Sequence, residues 1–146
     1  MAAVDIIIGS VYGSSVLVAE TLEQALTEAG HRVQLHEDAV LADLDADHFW
    51  LVITSTTGQG DLPPNLLPLF EEMRECCPPM PQLRYALVAL GDSSYDNFCG
   101  GGRQFDELLQ ELQAQAVVER LQLDATETLD PEEPALAWLK GWMTQI

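Results

Sequence analysis

Five short runs rich in β-branched and aliphatic residues, at positions 4–8, 32–36, 49–54, 84–90 and 117–123, alternate with longer stretches of helical periodicity. This alternation constrains the fold more than any other feature of the chain. Strands joined by helix-sized connections pair in parallel, and a parallel sheet must hide both faces under helices. The first helical stretch places Val18, Leu22, Ala25, Leu26 and Ala29 on one face, with Ser14 or Ser15 as its cap and Gly30 as its stop. A second, over residues 66–77, ends at Pro78-Pro79, and a third is centred on Phe105, Leu108, Leu109 and Leu112. The last opens with Asp130-Pro131-Glu132-Glu133 as cap, first-turn proline and acids, and aligns Leu136, Leu139, Trp142 and Met143. The segment around Leu41 and Leu44 is too short and acidic to assign to a helix or a loop. The expectation is an α/β protein, a three-layer α/β/α doubly wound domain with a five-stranded parallel sheet.

A length of 146 residues suits one domain, expected to span 1–146, with a single real core. The 24 acidic residues against 6 Lys or Arg leave a net charge of -18, which opposes binding to nucleic acid or to an anionic membrane surface and favours a basic protein partner. At 47% hydrophobic residues the chain is a folding sequence and not a disordered acidic tail. The run Ile6-Ile7-Ile8 is too short for a signal-peptide core and nothing approaches a membrane span, so cytoplasmic residence is expected. Three cysteines, two of them adjacent at Cys76 and Cys77, fit neither a disulfide framework nor a zinc site and are expected as reduced thiols in or near the core.

In doubly wound sheets, ligands lie beyond the carboxyl ends of the strands, near the point where strand order reverses. The loops after strands one, three and four therefore matter most. After strand one, Gly9-Ser10-Val11-Tyr12-Gly13-Ser14-Ser15 runs straight into a helix. Small and hydroxylated residues there direct N–H and O–H groups at one point, at the positive end of a helix dipole, which is a phosphate-sized anion site. A nucleoside-triphosphate loop would need a Lys and another spacing. After strand three comes Ser55-Thr56-Thr57-Gly58-Gln59-Gly60, and after strand four Leu90-Gly91-Asp92-Ser93-Ser94-Tyr95-Asp96-Asn97-Phe98-Cys99, whose aromatics can stack on a planar ligand. Each loop taken alone is equally well explained as an ordinary turn.

All three together, in this order and at these strands, resemble the flavodoxin family along the whole chain. The resemblance is to short flavodoxins of the YqcA and MioC type, with the second and third loops also similar to the FMN domains of sulfite reductase flavoproteins and cytochrome P-450 reductases. It implies a flavodoxin-like strand order 2-1-3-4-5 and FMN as cofactor. The phosphate would lie on Ser10, Val11, Tyr12, Gly13, Ser14 and Ser15. The ring would lie between Ser55, Thr56, Thr57, Gly58, Gln59 and Gly60 on one side and Leu90, Gly91, Asp92, Asp96, Asn97, Phe98 and Cys99 on the other, with Tyr95 stacked on its outer face. Two positions depart from the family pattern: Tyr12 stands where a threonine is usual, and Thr57 where reductase domains often carry an aromatic. In the family the peptide at the Gly58 position turns toward the flavin, and glycine lets it turn.

The resemblance further implies a monomeric, low-potential one-electron carrier, without catalytic side chains or metal, serving a flavodoxin reductase and an acceptor enzyme, both basic. Acids close to the ring, each worth about 1 kcal/mol or more of repulsion, would make the fully reduced cofactor strongly reducing. Asp61, Asp92, Asp96, Asp124 and Glu127 are expected to rim the site and steer a basic partner. The competing reading is an FMN-dependent oxidoreductase such as a quinone reductase, which would need a substrate pocket over the ring. A phosphoacceptor domain of the same architecture needs an acid pair after strand one, where this chain has Gly9-Ser10. His31, His36 and His48 lack metal-ligand spacing and are expected at the surface or at strand ends.

Overall fold

In the computed structural model, residues 2–10, 14–45, 47–56, 61–92, 99–124 and 130–146 are described. The elements run β1 (Ala3–Gly9), α1 (Ser14–Glu28), β2 (Arg32–His36), a single 3-10 turn (Leu41–Asp43), β3 (Phe49–Ser55), α2 (Leu67–Cys76), β4 (Arg84–Gly91), α3 (Gly100–Glu111), β5 (Gln115–Ala116), β6 (Leu121–Asp124), α4 (Glu132–Lys140) and a closing 3-10 turn (Met143–Gln145). All the pairings are parallel, in the order β2-β1-β3-β4-β5, and β6 also pairs with β4.

Alternate residues of the central strands point to opposite faces, and both faces are buried. Ile7, Trp50, Val52, Tyr85, Leu87 and Ala89 meet Leu69, Phe70 and Met73 of α2 and Phe105, Leu108 and Leu109 of α3. Val4, Ile6, Ile8, Leu51, Ile53, Ala86 and Val88 meet Val18, Ala19, Leu22 and Leu26 of α1 and Ala135 and Leu139 of α4. The expected three-layer domain is the one observed.

Four details differ from the sequence reading. The fifth strand is not one run over 117–123; it is split into β5 and β6, which share the edge of β4. Between the two pieces the chain turns so that Arg120 Nη1 reaches Asp106 Oδ2 at 2.6 Å. Asp106 is buried in α3, and a buried carboxylate needs a partner. It also accepts the Tyr85 hydroxyl and, at 3.2 Å, Gln110 Nε2. Burial first, then the neighbouring Asp106, pushes the Tyr85 phenol far above its usual value. The break opens a groove of about 560 Å³ lined by Asp106, Gln110, Arg120 and Gln122.

Second, α4 starts at Glu132 without a side-chain cap, and the neighbouring Asp130 carboxyl raises the Glu132 pKa. This helix ends at Lys140, so Trp142 lies beyond it, yet Trp142 is still buried against Phe49 and Trp138. Third, Cys76 and Cys77 are exposed at the end of α2, where Cys77 takes the left-handed conformation at φ 46; only Cys99 of the three thiols is buried. Fourth, Ala29 is exposed and lies off the apolar face of α1. Gly30 does stop α1, at φ 96.

The histidines are more engaged than surface residues. His36 Nε2 and His48 Nδ1 lie 3.0 and 3.1 Å from the two carboxylate oxygens of buried Asp5. His31, itself buried, accepts the Ala2 N–H at 2.9 Å, and burial lowers its pKa.

Candidate functional site

Parallel pairing brings the ends of the central strands into one row. Gly9 of β1 lies opposite Thr54 of β3, Ser55 of β3 opposite Leu90 of β4, and Gly91 of β4 opposite Asp124 of β6. The loops that follow β1, β3 and β4 therefore leave the sheet side by side, at the edge where doubly wound folds bind ligands. Of the expected site residues, Ser10, Ser14, Ser15, Ser55, Thr56, Leu90, Gly91, Asp92 and Cys99 belong to this row or its immediate flanks. Val11, Tyr12, Gly13, Thr57, Gly58, Gln59, Gly60, Tyr95, Asp96, Asn97 and Phe98 lie outside the described residues, as does Glu127.

α1 begins at Ser14, so both candidate cap serines sit inside its first turn. Ser15 is fully buried, and its hydroxyl has no hydrogen-bond partner among the described residues. An unpaired buried hydroxyl is costly, about 1–3 kcal/mol, and this one lies where a helix presents free N–H groups and positive potential. A phosphate or other oxyanion would satisfy both needs at once.

The strand ends are tied together by hydrogen bonds that cross the sheet. Asn65, in the connection before α2, accepts the Ser10 N–H through Oδ1 at 3.0 Å and donates from Nδ2 to the Ile8 carbonyl at 3.2 Å. The Ser55 hydroxyl lies 3.5 Å from the Gly9 carbonyl. Thr56 Oγ1 accepts the N–H of Gly101 at 3.2 Å, taking up one of the free N–H groups of the first turn of α3. The Thr56 hydroxyl thus ties the end of β3 to the start of α3.

Gly100, Gly101 and Gly102 form the buried first turn of α3. A Cβ on Gly102 would collide with Ala89 Cβ, and one on Gly101 would stand 3.0 Å from the Asp61 carbonyl. The glycines let α3 press directly onto β4 and the second loop. Cys99 enters this helix in the left-handed conformation, at φ 54. Its side chain is buried, with Sγ 3.5 Å from the Ala89 carbonyl, and burial raises its thiol pKa to about 11. A thiol held this way is a packing group and a poor nucleophile. Among the rim acids, Asp61 is exposed while Asp92 and Asp124 are half-buried.

A doubly wound domain with the ends of β1, β3 and β4 in one row, and with a buried hydroxyl that has no partner among the described residues at the start of α1, belongs to the class of folds that hold ligands at the carboxyl edge of the sheet. Comparison with known proteins narrows the class. The family-wide sequence profile described as Flavodoxin matches residues 6–138. The chain is 49% identical to Flavodoxin YqcA of Escherichia coli K12, covering 100% of this chain and 99% of that protein. It is 36% identical to Protein MioC of the same organism, again over 100% of this chain and 99% of the relative. Among solved structures, a cysteine-to-serine mutant of a flavodoxin from Pseudomonas aeruginosa superposes with a TM-score of 0.88 at 41% identity, covering 96% of this chain and 95% of that one. The chain belongs to the flavodoxin family, whose members bind a flavin.

Sequence reasoning missed Asn65, the hydroxyl of Thr56 as a brace, and the pairing of Asp5 with two histidines. Each is a contact between residues far apart in the chain, with no local pattern to announce it.

Proposed function

We propose that the protein is a cytoplasmic, monomeric one-electron carrier that uses FMN and works between a basic reductase and a basic acceptor enzyme. The buried Ser15 hydroxyl carries this reading: it supplies an unmet donor at the positive end of α1, where the loop from Ser10 to Ser15 meets the helix. The first loop has no Lys or Arg, so a phosphate would be held by backbone N–H groups, hydroxyls and the helix terminus. Ser10, Val11, Tyr12, Gly13, Ser14 and Ser15 would hold it, and the loops Ser55 to Gly60 and Leu90 to Cys99 would hold the ring, with Tyr95 stacked upon it. Bound FMN supplies the one-electron chemistry. The chain supplies a fixed pocket, braced by Thr56 and closed by the packing of α3 against β4, and an acidic surround that disfavours added negative charge on the ligand. The three layers of residues 1–146 act as a single cofactor-binding unit.

No helix among the described residues is long and apolar enough to cross a membrane. A net charge of -18 suits attraction to a positively charged partner. The test begins with purification and identification of the released cofactor. The expected result is stoichiometric FMN, a cofactor reduced by NADPH only when a flavodoxin reductase is added, and a reduction rate that falls as salt passes roughly 0.1 M, where the screening length is about 10 Å. Direct NADPH oxidation by the pure protein would instead favour an FMN-dependent oxidoreductase. A colourless protein that fails to take up FMN would remove the proposal.

A further inference from the structure

The carboxamide of Asn65 reaches across 55 residues of sequence to make two bonds with β1, from Nδ2 to the Ile8 carbonyl and from the Ser10 N–H to Oδ1. In a parallel ladder, a residue facing position i donates to the carbonyl of i−1 and accepts from the N–H of i+1. Asn65 therefore meets Gly9 as one more residue of a parallel strand would. A second observation concerns the same spot. The residue after Asn65, Leu66, is fully buried against Gly9: a Cβ there would come within 2.8 Å of Leu66 Cδ2 and 2.5 Å of Thr54 Oγ1. Only glycine at position 9 admits the 65–66 segment this closely.

We infer that Asn65 is a positioning residue for the first loop: by prolonging the β1 ladder past its last β2 partner, it fixes the direction in which the chain leaves Ser10 and thereby sets the loop for a phosphate. The inference rests on the proposed placement of the FMN phosphate and adds to it a residue that touches no cofactor. The Ser10 N–H is engaged by Asn65 and is not a donor open to the anion.

The test compares the affinities of the apoprotein for FMN and for riboflavin, which lacks the phosphate, in the wild type and in Asn65→Ala and Asn65→Asp. In Asn65→Ala, FMN binding is expected to weaken roughly tenfold or more, the effect of losing one to two hydrogen bonds, while riboflavin binding stays within about twofold. Asn65→Asp keeps the acceptor for Ser10 but loses the donor to Ile8 and adds a negative charge. FMN binding is expected to weaken further, with part of the loss recovered at high salt, and this near-isosteric variant carries the test if Asn65→Ala does not fold. Parallel loss of FMN and riboflavin affinity, or unchanged FMN affinity, overturns the positioning role while leaving the phosphate reading intact. A wild type that binds riboflavin as tightly as FMN removes the phosphate reading itself, and the inference with it.

Discussion

Replacing Ser15 by alanine is expected to move stability in opposite directions with and without cofactor. In the structure the Ser15 side chain is fully buried and its hydroxyl finds no partner among the described residues. A buried donor left unpaired costs about 1–3 kcal/mol, and alanine removes the hydroxyl while leaving the rest of the side chain in place. The apoprotein of Ser15→Ala is thus expected to be more stable by about 1 kcal/mol or more, a gain of several degrees at roughly 2–4 °C per kcal/mol for a domain of this size. The same hydroxyl, given to a phosphate dianion, makes a charge-assisted bond of about 1.5–3 kcal/mol, so FMN affinity is expected to fall by about one to two orders of magnitude. Because bound ligand stabilises the native state by RT ln(1 + L/Kd) at free ligand concentration L, the weaker-binding variant gains less and the ranking reverses once free FMN is far above both Kd values. Thermal unfolding with and without FMN, and fluorescence titration of the apoprotein, measure both effects. An apoprotein variant less stable than wild type, with unchanged FMN affinity, would refute the reasoning.

Gly102→Ala is expected to destabilise by about 3 kcal/mol, because the new methyl group runs into Ala89 Cβ and α3 cannot retreat without uncovering β4; urea unfolding measures it. Arg120→Met leaves the Asp106 carboxylate with only Tyr85 and Gln110 and is expected to cost about 2 kcal/mol, between the values for exposed and buried pairs, while Tyr85→Phe costs about 1 kcal/mol; a double-mutant cycle is expected to show coupling between the two. In native protein, a thiol reagent at pH 8 is expected to titrate Cys76 and Cys77 quickly and Cys99 only after unfolding, and prompt reaction of all three would contradict the buried, raised-pKa thiol. His31 is expected to titrate below 6.5 by NMR: with a folded pKa under the unfolded one, its contribution to stability is complete above pH 6.5 and is lost as pH falls below it.

The central sheet was legible because strands buried on both faces must read as apolar runs, and β1, β3 and β4 are such runs. The loops were legible as a group because topology forces the ends of parallel strands to one edge. The fifth strand misled because Val117 and Val118 read as strand by composition, while the chain there is diverted to bring Arg120 to Asp106, a demand set by a buried acid in another element. Asp130 reads as a cap, but α4 starts later, after Pro131, and no side chain caps it. Asn65 is an ordinary turn residue in sequence, and its bonds to Ile8 and Ser10 exist only once β1 and the start of α2 are packed.

The break between β5 and β6 also bears on how crowded solutions of this protein behave. An outer strand with a long row of open amide and carbonyl groups invites pairing with another molecule, and the usual remedy is to keep such rows short. Here the edge next to β4 offers two residues, an interruption, and then four. An edge broken in this way is a poor template for pairing with another molecule, and a charge of -18 adds repulsion between copies at low salt.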